Sequence, residues 1–512
     1  MPQPPRPQGA TGDLRAALIL TAALLVARLV ALFASPLELY PDEAQYWLWS
    51  RTLDFGYYSK PPVIAWSIWA TTAIGGDSEP WVRLSAGLYQ AGASLLVFLI
   101  GRRLYGGAVG LAAAALYALM PGIQLSALVA ATDAPLLFFL GLTILAYVAF
   151  LEAESRHRLP LAAGIGGALG LAFLSKYAAV YFVVGLAIHL AVSRPARTAW
   201  SAKAAGVALA ALVVILAPNL AWNAAHGFAT FQHTAANAAW SGVQLFNIGE
   251  MAAFVGSQLG VFGPIPLGVL IAGTGLAVRR RAIDPRDLTL LCFALPPLLI
   301  VTGQAFISRA NANWSGAGYL AGAILVAAWL VRWRARRWLV AALVIQAAVA
   351  AFFLAAVASP ALADRIGLAN GLKRARGWEQ TTDIILDRAE REPGLTAIAV
   401  NNRFLFYAVS YYGRDRLGLS TPPLASWLLM EGPQNQAEIT APLTREIGGR
   451  VLMVSYEGWR REEMQADFAR ASGLEIASVW LDPKHKRKVE MFVGEGFAPR
   501  PRDEISGLPT PP

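Results

Sequence analysis

Long apolar runs recur along residues 1–358, and most of them approach the length of a membrane-spanning helix. Because a helix needs about 20 apolar residues to cross the hydrocarbon core of a bilayer, these runs predict an all-α polytopic bundle of about 11 transmembrane helices. The predicted spans lie near residues 15–36, 82–101, 107–127, 133–151, 161–175, 176–192, 203–221, 251–277, 287–307, 314–332 and 337–358. A short polar interruption, Ser175-Lys176-Tyr177, divides the apolar stretch 161–192 into two of these spans.

Basic residues are concentrated in every second loop between the predicted spans. The clusters are Arg102-Arg103, Arg156 with Arg158, Arg194 with Arg197 and Lys203, Arg279-Arg280-Arg281 with Arg286, and Arg332 with Arg334, Arg336 and Arg337. Since cytoplasmic loops carry an excess of Lys and Arg, these loops are predicted to be cytoplasmic. The alternate segments, including the first loop at 38–81, then face outward. The N-terminus is predicted inside and the region after residue 358 outside. A single helix over 161–192 would invert every later loop.

The region 359–512 has a different pattern, in which short apolar segments alternate with amphipathic ones. The candidate strands are 396–400, 451–455 and 476–481, and the candidate helices are 378–390 and 460–472. This pattern predicts a small extracytoplasmic α/β domain of two or three layers. The predicted organisation is a disordered cytoplasmic tail at 1–14, a transmembrane domain at 15–358, the α/β domain at 359–498 and a second disordered tail at 499–512.

Composition supports the membrane assignment and excludes several other classes. Hydrophobic residues make up 56% of the 512 residues and charged residues only 15%, which does not fit a soluble enzyme of this length. The excess of Lys and Arg over Asp and Glu lies in residues 1–358, at 23 against 13, whereas residues 359–512 have 20 of each. This distribution suits loop anchoring rather than nucleic-acid binding, which needs a concentrated basic patch. The single cysteine, Cys292, excludes an intrachain disulfide and a multi-cysteine metal site.

Two adjacent acids, Asp42 and Glu43, follow the first predicted span. They can simply begin a helix at the membrane interface, because acids are favourable in a first turn. They are also candidate catalytic residues, because charges at the membrane edge are costly and are more often functional. Asp133, in Thr132-Asp133-Ala134-Pro135, has a sufficient structural explanation as a helix cap. The predicted topology nevertheless places Asp133 on the same face as Asp42, so it is the third candidate.

Three cations, Lys60, Lys176 and Arg309, also lie in segments that are predicted to face outward. Each can be a side chain that extends to the membrane interface, but a lipid phosphate would need such cations at the outer surface. The candidate substrate-binding side chains on this face are Tyr57, Tyr58, His226 and Asn313. His226 and His233 have no nearby third ligand at metal-like spacing, so no metal site is predicted.

Several segments together resemble one family of membrane enzymes. They are Tyr40-Pro41-Asp42-Glu43-Ala44-Gln45-Tyr46, residues 56–62, Ala131-Thr132-Asp133-Ala134-Pro135, Phe173-Leu174-Ser175-Lys176-Tyr177, residues 222–227 and residues 309–314. In these segments the chain resembles the polytopic glycosyltransferases with a C-type fold. It is most similar to the bacterial relatives of protein O-mannosyltransferases and of the aminoarabinose transferase that modifies lipid A.

The resemblance implies transfer of a sugar from a polyprenyl-phosphate donor to a lipid, glycan or protein acceptor on the periplasmic face of the inner membrane. Asp42 matches the family's catalytic acid, Asp133 its second acidic position and Lys60 a lysine near the donor phosphate. Lys176 and Arg309 are expected to assist Lys60, and Glu43 is a candidate through adjacency alone. The family usually works without a nucleotide-sugar donor, and no cofactor is expected.

The main alternative is a transporter or lipid flippase, which would also carry charges within a polytopic bundle. Transporters tend to have internal repeats and helices that are broken near the midplane of the membrane. The sequence has no convincing repeat, and its acids gather on one predicted face. A purely structural or receptor function comes third. Donor sugar, acceptor and prenyl chain length stay open.

Overall fold

A computed structural model describes residues 10–238, 246–280, 283–430 and 432–502. Most of each predicted terminal tail, residues 1–9 and 503–512, lies outside the described residues. The first helix already begins at Ala10, within the predicted tail 1–14. Residues 239–245 of the predicted outer loop 222–250 also lie outside the described part of the chain.

The N-terminal part of the chain is helical. Its α-helices are α1 (Ala10–Phe33), α2 (Pro41–Ser50), α3 (Val63–Gly75), α4 (Glu79–Tyr105), α5 (Gly107–Leu119), α6 (Pro121–Leu128), α7 (Asp133–Glu152), α8 (Ser155–Ser175), α9 (Val180–Val192), α10 (Arg194–Ala199), α11 (Ala202–Ala225), α12 (Ala229–Ala238), α13 (Ile248–Val261), α14 (Pro264–Arg280), α15 (Pro285–Ile307), α16 (Gly318–Arg332) and α17 (Arg336–Ala358). Short 3₁₀ turns cover Tyr177–Ala179 and Ala312–Ser315.

Seven of the helices in the described residues are long and apolar enough to cross a membrane. They are α1, α4, α7, α8, α11, α15 and α17. Two bent pairs, α5 with α6 and α13 with α14, bring the number of candidate spans up to nine. The predicted spans 176–192 and 314–332 correspond to shorter apolar helices, Tyr177–Val192 and Gly318–Arg332. The chain is therefore a multi-pass membrane protein.

The predicted span 251–277 is not one continuous helix. Helices α13 and α14 meet at an angle of 114°. Gly263, between them, has a φ of +97°, a left-handed conformation that favours glycine and ends a helix. Pro264 then begins α14, because proline fits the first turn of a helix but not its interior. The predicted span 107–127 is likewise divided at Pro121, with a bend of 60°.

Helix α16 lies at the centre of the bundle, and its residues Gly318–Leu330 are all buried. Helix α11 lies at the periphery and exposes apolar side chains, including Val213 and Val214. An apolar helix surface of this kind suits contact with lipid. The bundle therefore has apolar residues both in its interior and on its surface, as expected of a protein that is surrounded by lipid.

Basic loops that are distant in sequence meet at one end of the bundle. Arg286 donates to the Leu104 carbonyl oxygen at 3.0 Å, and Tyr105 donates to Asp287 at 2.8 Å. Arg332 forms an ion pair with Asp287 at 2.6 Å. These loops were all predicted to be cytoplasmic, and their meeting at one end agrees with the alternation of loops that the arginines predict.

The C-terminal region contains helices and one mixed sheet. Its α-helices are α18 (Pro360–Arg365), α19 (Trp378–Glu390), α20 (Arg403–Tyr412), α21 (Gln436–Thr440) and α22 (Arg461–Gln465). Its strands are β1 (Ala397–Val400), β2 (Leu424–Ser426), β3 (Arg450–Tyr456), β4 (Phe468–Ala471), β5 (Glu475–Trp480) and β6 (Lys486–Phe497). Two further 3₁₀ turns cover Ala369–Gly371 and Lys373–Ala375.

The strand order is β2-β1-β3-β6-β4, and β5 also pairs with β6. Strands β1, β2 and β3 run parallel, and β6 is antiparallel to β3, β4 and β5. The predicted strands and the predicted helix 378–390 are present within a residue or two. The predicted helix 460–472 was wrong in its second half, because Phe468–Ala471 pairs with β6. Residues 468–471 form a strand because they pair with residues of β6 that lie more than 20 residues later in the chain.

One face of the sheet supports helices α19 and α20, and α20 in turn packs against α2 of the first outer loop. The Trp47 and Tyr411 rings meet edge to face, with centroids 4.9 Å apart. The backbone N–H of Leu39 donates to the Tyr412 hydroxyl at 2.7 Å. The backbone N–H of Tyr58 donates to Gln436 at 2.9 Å. The C-terminal region is therefore fastened to the loop that carries the candidate acids.

Candidate active site

Helix α2 presents Asp42 at the surface of the protein. Pro41 and Asp42 form the first turn of the helix, where proline and an acid are both favourable. The Asp42 side chain is 54% exposed, and its Oδ1 accepts a hydrogen bond from Nη1 of Arg403 at 3.2 Å. A half-exposed carboxylate with one cationic partner can still accept a proton from a substrate hydroxyl.

Glu43, the next residue, points into the protein instead. Its carboxylate is completely buried and forms an ion pair with Arg83 at 2.8 Å. It also accepts the backbone N–H groups of Tyr40 at 2.9 Å and Ala130 at 2.8 Å. Arg83 in turn donates to the carbonyl oxygens of Leu37 and Glu38. These contacts tie α2 to α4 and to the segment before α7, and they leave Glu43 no access to a substrate.

Asp133 is paired with a lysine from another outer segment. The Asp133 carboxylate accepts Nζ of Lys176 at 2.8 Å and Nδ2 of Asn313 at 3.2 Å. The N-cap of α7 is Thr132 rather than Asp133. Lys176 reaches this position because it is the extended residue between α8 and the following 3₁₀ turn. The Asp133 oxygens thus bond to side chains rather than to the α7 backbone, so a helix cap does not explain this acid.

Lys60 lies in the same electrostatic environment. Burial lowers the pKa of Lys60 below the ordinary value for lysine, and the positive charge on Lys176 lowers it further. The negative charges of Asp42 and Asp133 act in the opposite direction. Asp42, Asp133 and Lys176, which were predicted from the sequence to share one face with Lys60, therefore each act on the charge of Lys60.

The remaining candidate residues have other positions. The Tyr57 hydroxyl donates to the backbone carbonyl oxygens of Trp49 and Thr52. The Tyr57 ring stacks on the Trp49 ring, with centroids 4.7 Å apart. The Tyr58 ring faces His233, with centroids 5.7 Å apart. His226 is exposed and stacks on Trp222, with centroids 4.1 Å apart.

Arg309 is exposed, and its backbone carbonyl accepts Nε2 of Gln304 at 3.2 Å. Within the described ranges, no ion pair of its side chain is present. In the short segment between α15 and α16, Asn313 contacts one of the candidate acids, Asp133. Tyr57, His226 and Arg309 are therefore not joined to the two acids by the contacts of the described chain.

Sequence analysis did not single out Arg403, and it named Gln45 and His233 without assigning them to the site. Arg403, the first residue of α20, donates through Nη1 to Gln45 at 2.8 Å as well as to Asp42. Burial and the charges of Lys60 and Arg403 lower the pKa of His233 to about 4, so this imidazole is neutral at physiological pH. Gln45 was visible as the residue one turn after Asp42, but no local pattern pointed to Arg403.

Across the part of the chain that the structure describes, no cluster of three or more His, Cys, Asp or Glu side chains has the arrangement of a metal site. The candidate site contains two acids and three cations: Asp42, Asp133, Lys60, Lys176 and Arg403. Such a set can bind an anionic group and deprotonate a hydroxyl beside it.

Comparison with known proteins identifies the family. A family model described as dolichyl-phosphate-mannose-protein mannosyltransferase matches residues 59–222. The lipid A galacturonosyltransferase RgtD of Rhizobium johnstonii is 34% identical over 454 residues, which cover 86% of this chain and 91% of the relative.

Solved structures show the same fold. The apo structure of ArnT from Cupriavidus metallidurans matches with a TM-score of 0.64 and 15% identity, over 92% of this chain and 97% of ArnT. The structure of the same protein bound to undecaprenyl phosphate matches with a TM-score of 0.63 and 15% identity, over 96% and 99% of the two chains. The similarity to RgtD extends over most of both sequences, and this chain belongs to the polytopic, polyprenyl-phosphate-sugar-dependent glycosyltransferases with a C-type fold.

Proposed function

We propose that this enzyme transfers a sugar from polyprenyl phosphate to lipid A, at the outer face of the inner membrane. The observation that carries the proposal is the half-exposed carboxylate of Asp42, which is paired with Arg403 and whose charge acts on Lys60. The similarity to a lipid A galacturonosyltransferase supports the acceptor. The common fold with a protein that binds undecaprenyl phosphate agrees with the donor.

In the proposed reaction, Lys60 holds the donor phosphate and Asp42 acts as the general base. Asp42 takes the proton from an acceptor hydroxyl as that oxygen bonds to the anomeric carbon. The bond between the anomeric carbon and the phosphate oxygen breaks, and the polyprenyl phosphate leaves with the electron pair. Cations beside the phosphate stabilise the charge that develops on it. A single displacement inverts the anomeric configuration.

The ion pair of Asp133 and Lys176 is proposed to orient the sugar or the acceptor. The pair is partly buried, with 18% and 21% of the two side chains exposed, so it keeps a defined geometry beside the reacting groups. Asn313 fixes the second Asp133 oxygen. Glu43 is proposed to have a structural function because Arg83 and two backbone N–H groups occupy its carboxylate.

The decisive experiment is sugar transfer by the purified enzyme in detergent, with a radiolabelled polyprenyl-phosphate sugar and lipid A. A new glycosidic bond, detected by mass spectrometry of the lipid product, is the expected result. The related proteins are transferases, which does not favour a transporter or flippase. A flippase would form no bond and would need two compartments to show activity.

We predict that Lys60→Ala weakens use of the donor strongly and that Lys60→Arg retains part of it. A cation beside a phosphate in a partly dehydrated site forms a charge-assisted contact, and arginine keeps the charge but presents a broad fork. The measurement is the initial rate against donor concentration. Unchanged curves for Lys60→Ala would remove Lys60 from the site.

The pH dependence gives an independent check on the same residue. The Lys60 pKa is lowered in the protein, so the charged form is lost at a pH below the ordinary lysine pKa. We therefore expect kcat/KM to fall on the alkaline side as the pH rises through that lowered pKa. Lys60→Arg should move this decline to higher pH, because the guanidinium stays protonated.

The proposed orientation places the N-terminus in the cytoplasm and the domain 359–498 in the periplasm. A phosphatase reporter that is fused after Ser359 should be active, because such reporters fold outside the cytoplasm. A fusion after Arg103, in a loop that is proposed to be cytoplasmic, is the control and should be inactive. The reverse pattern would put Asp42 on the wrong side of the membrane for a periplasmic acceptor.

A further inference from the structure

Arg403 brings a guanidinium from the C-terminal domain to the proposed reaction centre. Both of its hydrogen bonds within the described residues are donated by Nη1, to Asp42 at 3.2 Å and to Gln45 at 2.8 Å. The side chain is 39% exposed. Nε and Nη2 form no hydrogen bond within the described part of the chain, so this edge of the guanidinium, next to the nitrogen that bonds Asp42, is available to a ligand.

Several contacts hold this guanidinium in place. Arg403 is the first residue of α20, and Asn402 caps that helix by accepting the Phe404 N–H at 2.8 Å. The guanidinium lies over the Phe404 ring, 4.6 Å from its centroid. The far end of α20 contacts α2 through Tyr411 and the segment just before α2 through Tyr412. A cation that is held this way loses little conformational freedom when it binds a ligand.

The chemistry of the available edge favours a planar anion. Guanidinium binds a carboxylate through two parallel hydrogen bonds, and this geometry is more specific than a single charged contact. The N-terminus of α20 adds a partial positive charge at the same place. In the proposed reaction Lys60 holds the donor phosphate, so Arg403 is an additional cation beside that contact.

We propose that Arg403 binds the carboxylate of a uronic acid, so that the enzyme selects a donor whose sugar carries C6 as a carboxylate. The inference rests on the proposed sugar transfer and adds the class of sugar and the residue that selects it. Gln45 holds Nη1 of Arg403, and Asp42 shares that nitrogen, so the base and the sugar carboxylate are aligned by one guanidinium. The similarity to a galacturonosyltransferase agrees with this class of sugar.

The test compares two donors that differ only at C6, polyprenyl-phosphate galacturonate and polyprenyl-phosphate galactose, in wild type, Arg403→Gln and Arg403→Lys. Sites that are built to bond a polar group discriminate strongly against substrates that lack it. Wild type should therefore prefer galacturonate by at least about 10-fold in kcat/KM. Arg403→Gln should lower kcat/KM with galacturonate by about 10-fold or more relative to its effect on kcat/KM with galactose, so that the preference between the two donors is largely lost. Arg403→Lys should lie between the two with galacturonate.

Arg414→Gln is the matched control, because Arg414 is an exposed arginine of the same domain just after α20 and stacks on Tyr411. It should leave the preference between the donors unchanged. If Arg403→Gln lowers kcat/KM equally with both donors, Arg403 only positions Asp42. If Arg403→Gln still prefers galacturonate as wild type does, the guanidinium is not the cause of that preference. Either result overturns the proposal.

The acceptor is the other possible source of an anion. The assay is therefore repeated with lipid A that carries its phosphates and with dephosphorylated lipid A. A loss in Arg403→Gln that depends on the acceptor phosphate rather than on the donor carboxylate would overturn the proposal. Equal use of both donors by wild type would overturn it while the proposed sugar transfer stands. The absence of product from either donor would overturn the sugar transfer as well.

Discussion

Replacement of Asp42 with Asn is expected to lower turnover by about 10²-fold or more, as the loss of a general base typically does. Asparagine has nearly the same volume as aspartate and is tolerated in the first turn of a helix, so α2 should fold normally. The half-exposed position of the side chain also makes a large effect on stability unexpected. The measurement is kcat for sugar transfer at matched expression, with the elution profile in size-exclusion chromatography as the test of folding.

Asp415→Asn serves as the control for Asp42→Asn. Asp415 is an exposed acid of the C-terminal domain that follows α20, and its replacement changes the net charge by the same amount. It should leave turnover close to that of wild type. Full activity in Asp42→Asn would remove this residue as the base, and Asp133 would then become the first alternative among the acids of the site.

Helices that face lipid could be predicted well from the sequence because the bilayer imposes one length and one polarity on them. Span 133–151, for example, differs from the observed α7 by only one residue, at its C-terminal end. The predicted division of 161–192 at Lys176 also agrees with the structure, where α8 ends at Ser175. Breaks such as that at Gly263 were harder to predict, since an apolar run with a glycine and two prolines is compatible with both a kinked span and two separate helices.

The orientation of neighbouring side chains could not be predicted. Asp42 and Glu43 are adjacent on α2, and successive residues of a helix point about 100° apart. Which of the two acids faces the substrate depends on Arg83, which lies on another helix 40 residues away and draws Glu43 into the core. The sequence pattern contained both acids but not the contact that distinguishes them.

Arg403 illustrates the same limit over a longer distance. It lies 361 residues after Asp42 and belongs to a region that was predicted only as an α/β domain. The first residue of an amphipathic helix gives no local signal of catalysis. Its approach to Asp42 depends on the packing of α20 against α2, a tertiary interface with no counterpart in the periodicity of either helix.

The Glu43–Arg83 pair leads to the largest expected effect on stability. Removing one partner of a buried ion pair leaves the other charge buried without compensation, which costs about 3–5 kcal/mol. Glu43→Gln and Arg83→Gln should therefore each lower the melting temperature in detergent substantially. Arg83→Gln also deprives the Leu37 and Glu38 carbonyl oxygens of their donor, so it should be at least as destabilising as Glu43→Gln.

The exposed pair of Arg103 and Glu152 provides the comparison, because 42% and 47% of these side chains are exposed. Arg103→Gln should cost only about 0–1 kcal/mol, since water and salt screen an exposed pair. Turnover per folded molecule of Glu43→Gln, measured well below its melting temperature, should remain near that of wild type because Glu43 does not face the substrate. A variant that melts like wild type but transfers no sugar would instead assign Glu43 to the chemistry. That result would mean that the Arg83 contact orients a catalytic carboxylate rather than stabilising the junction of α2 and α4.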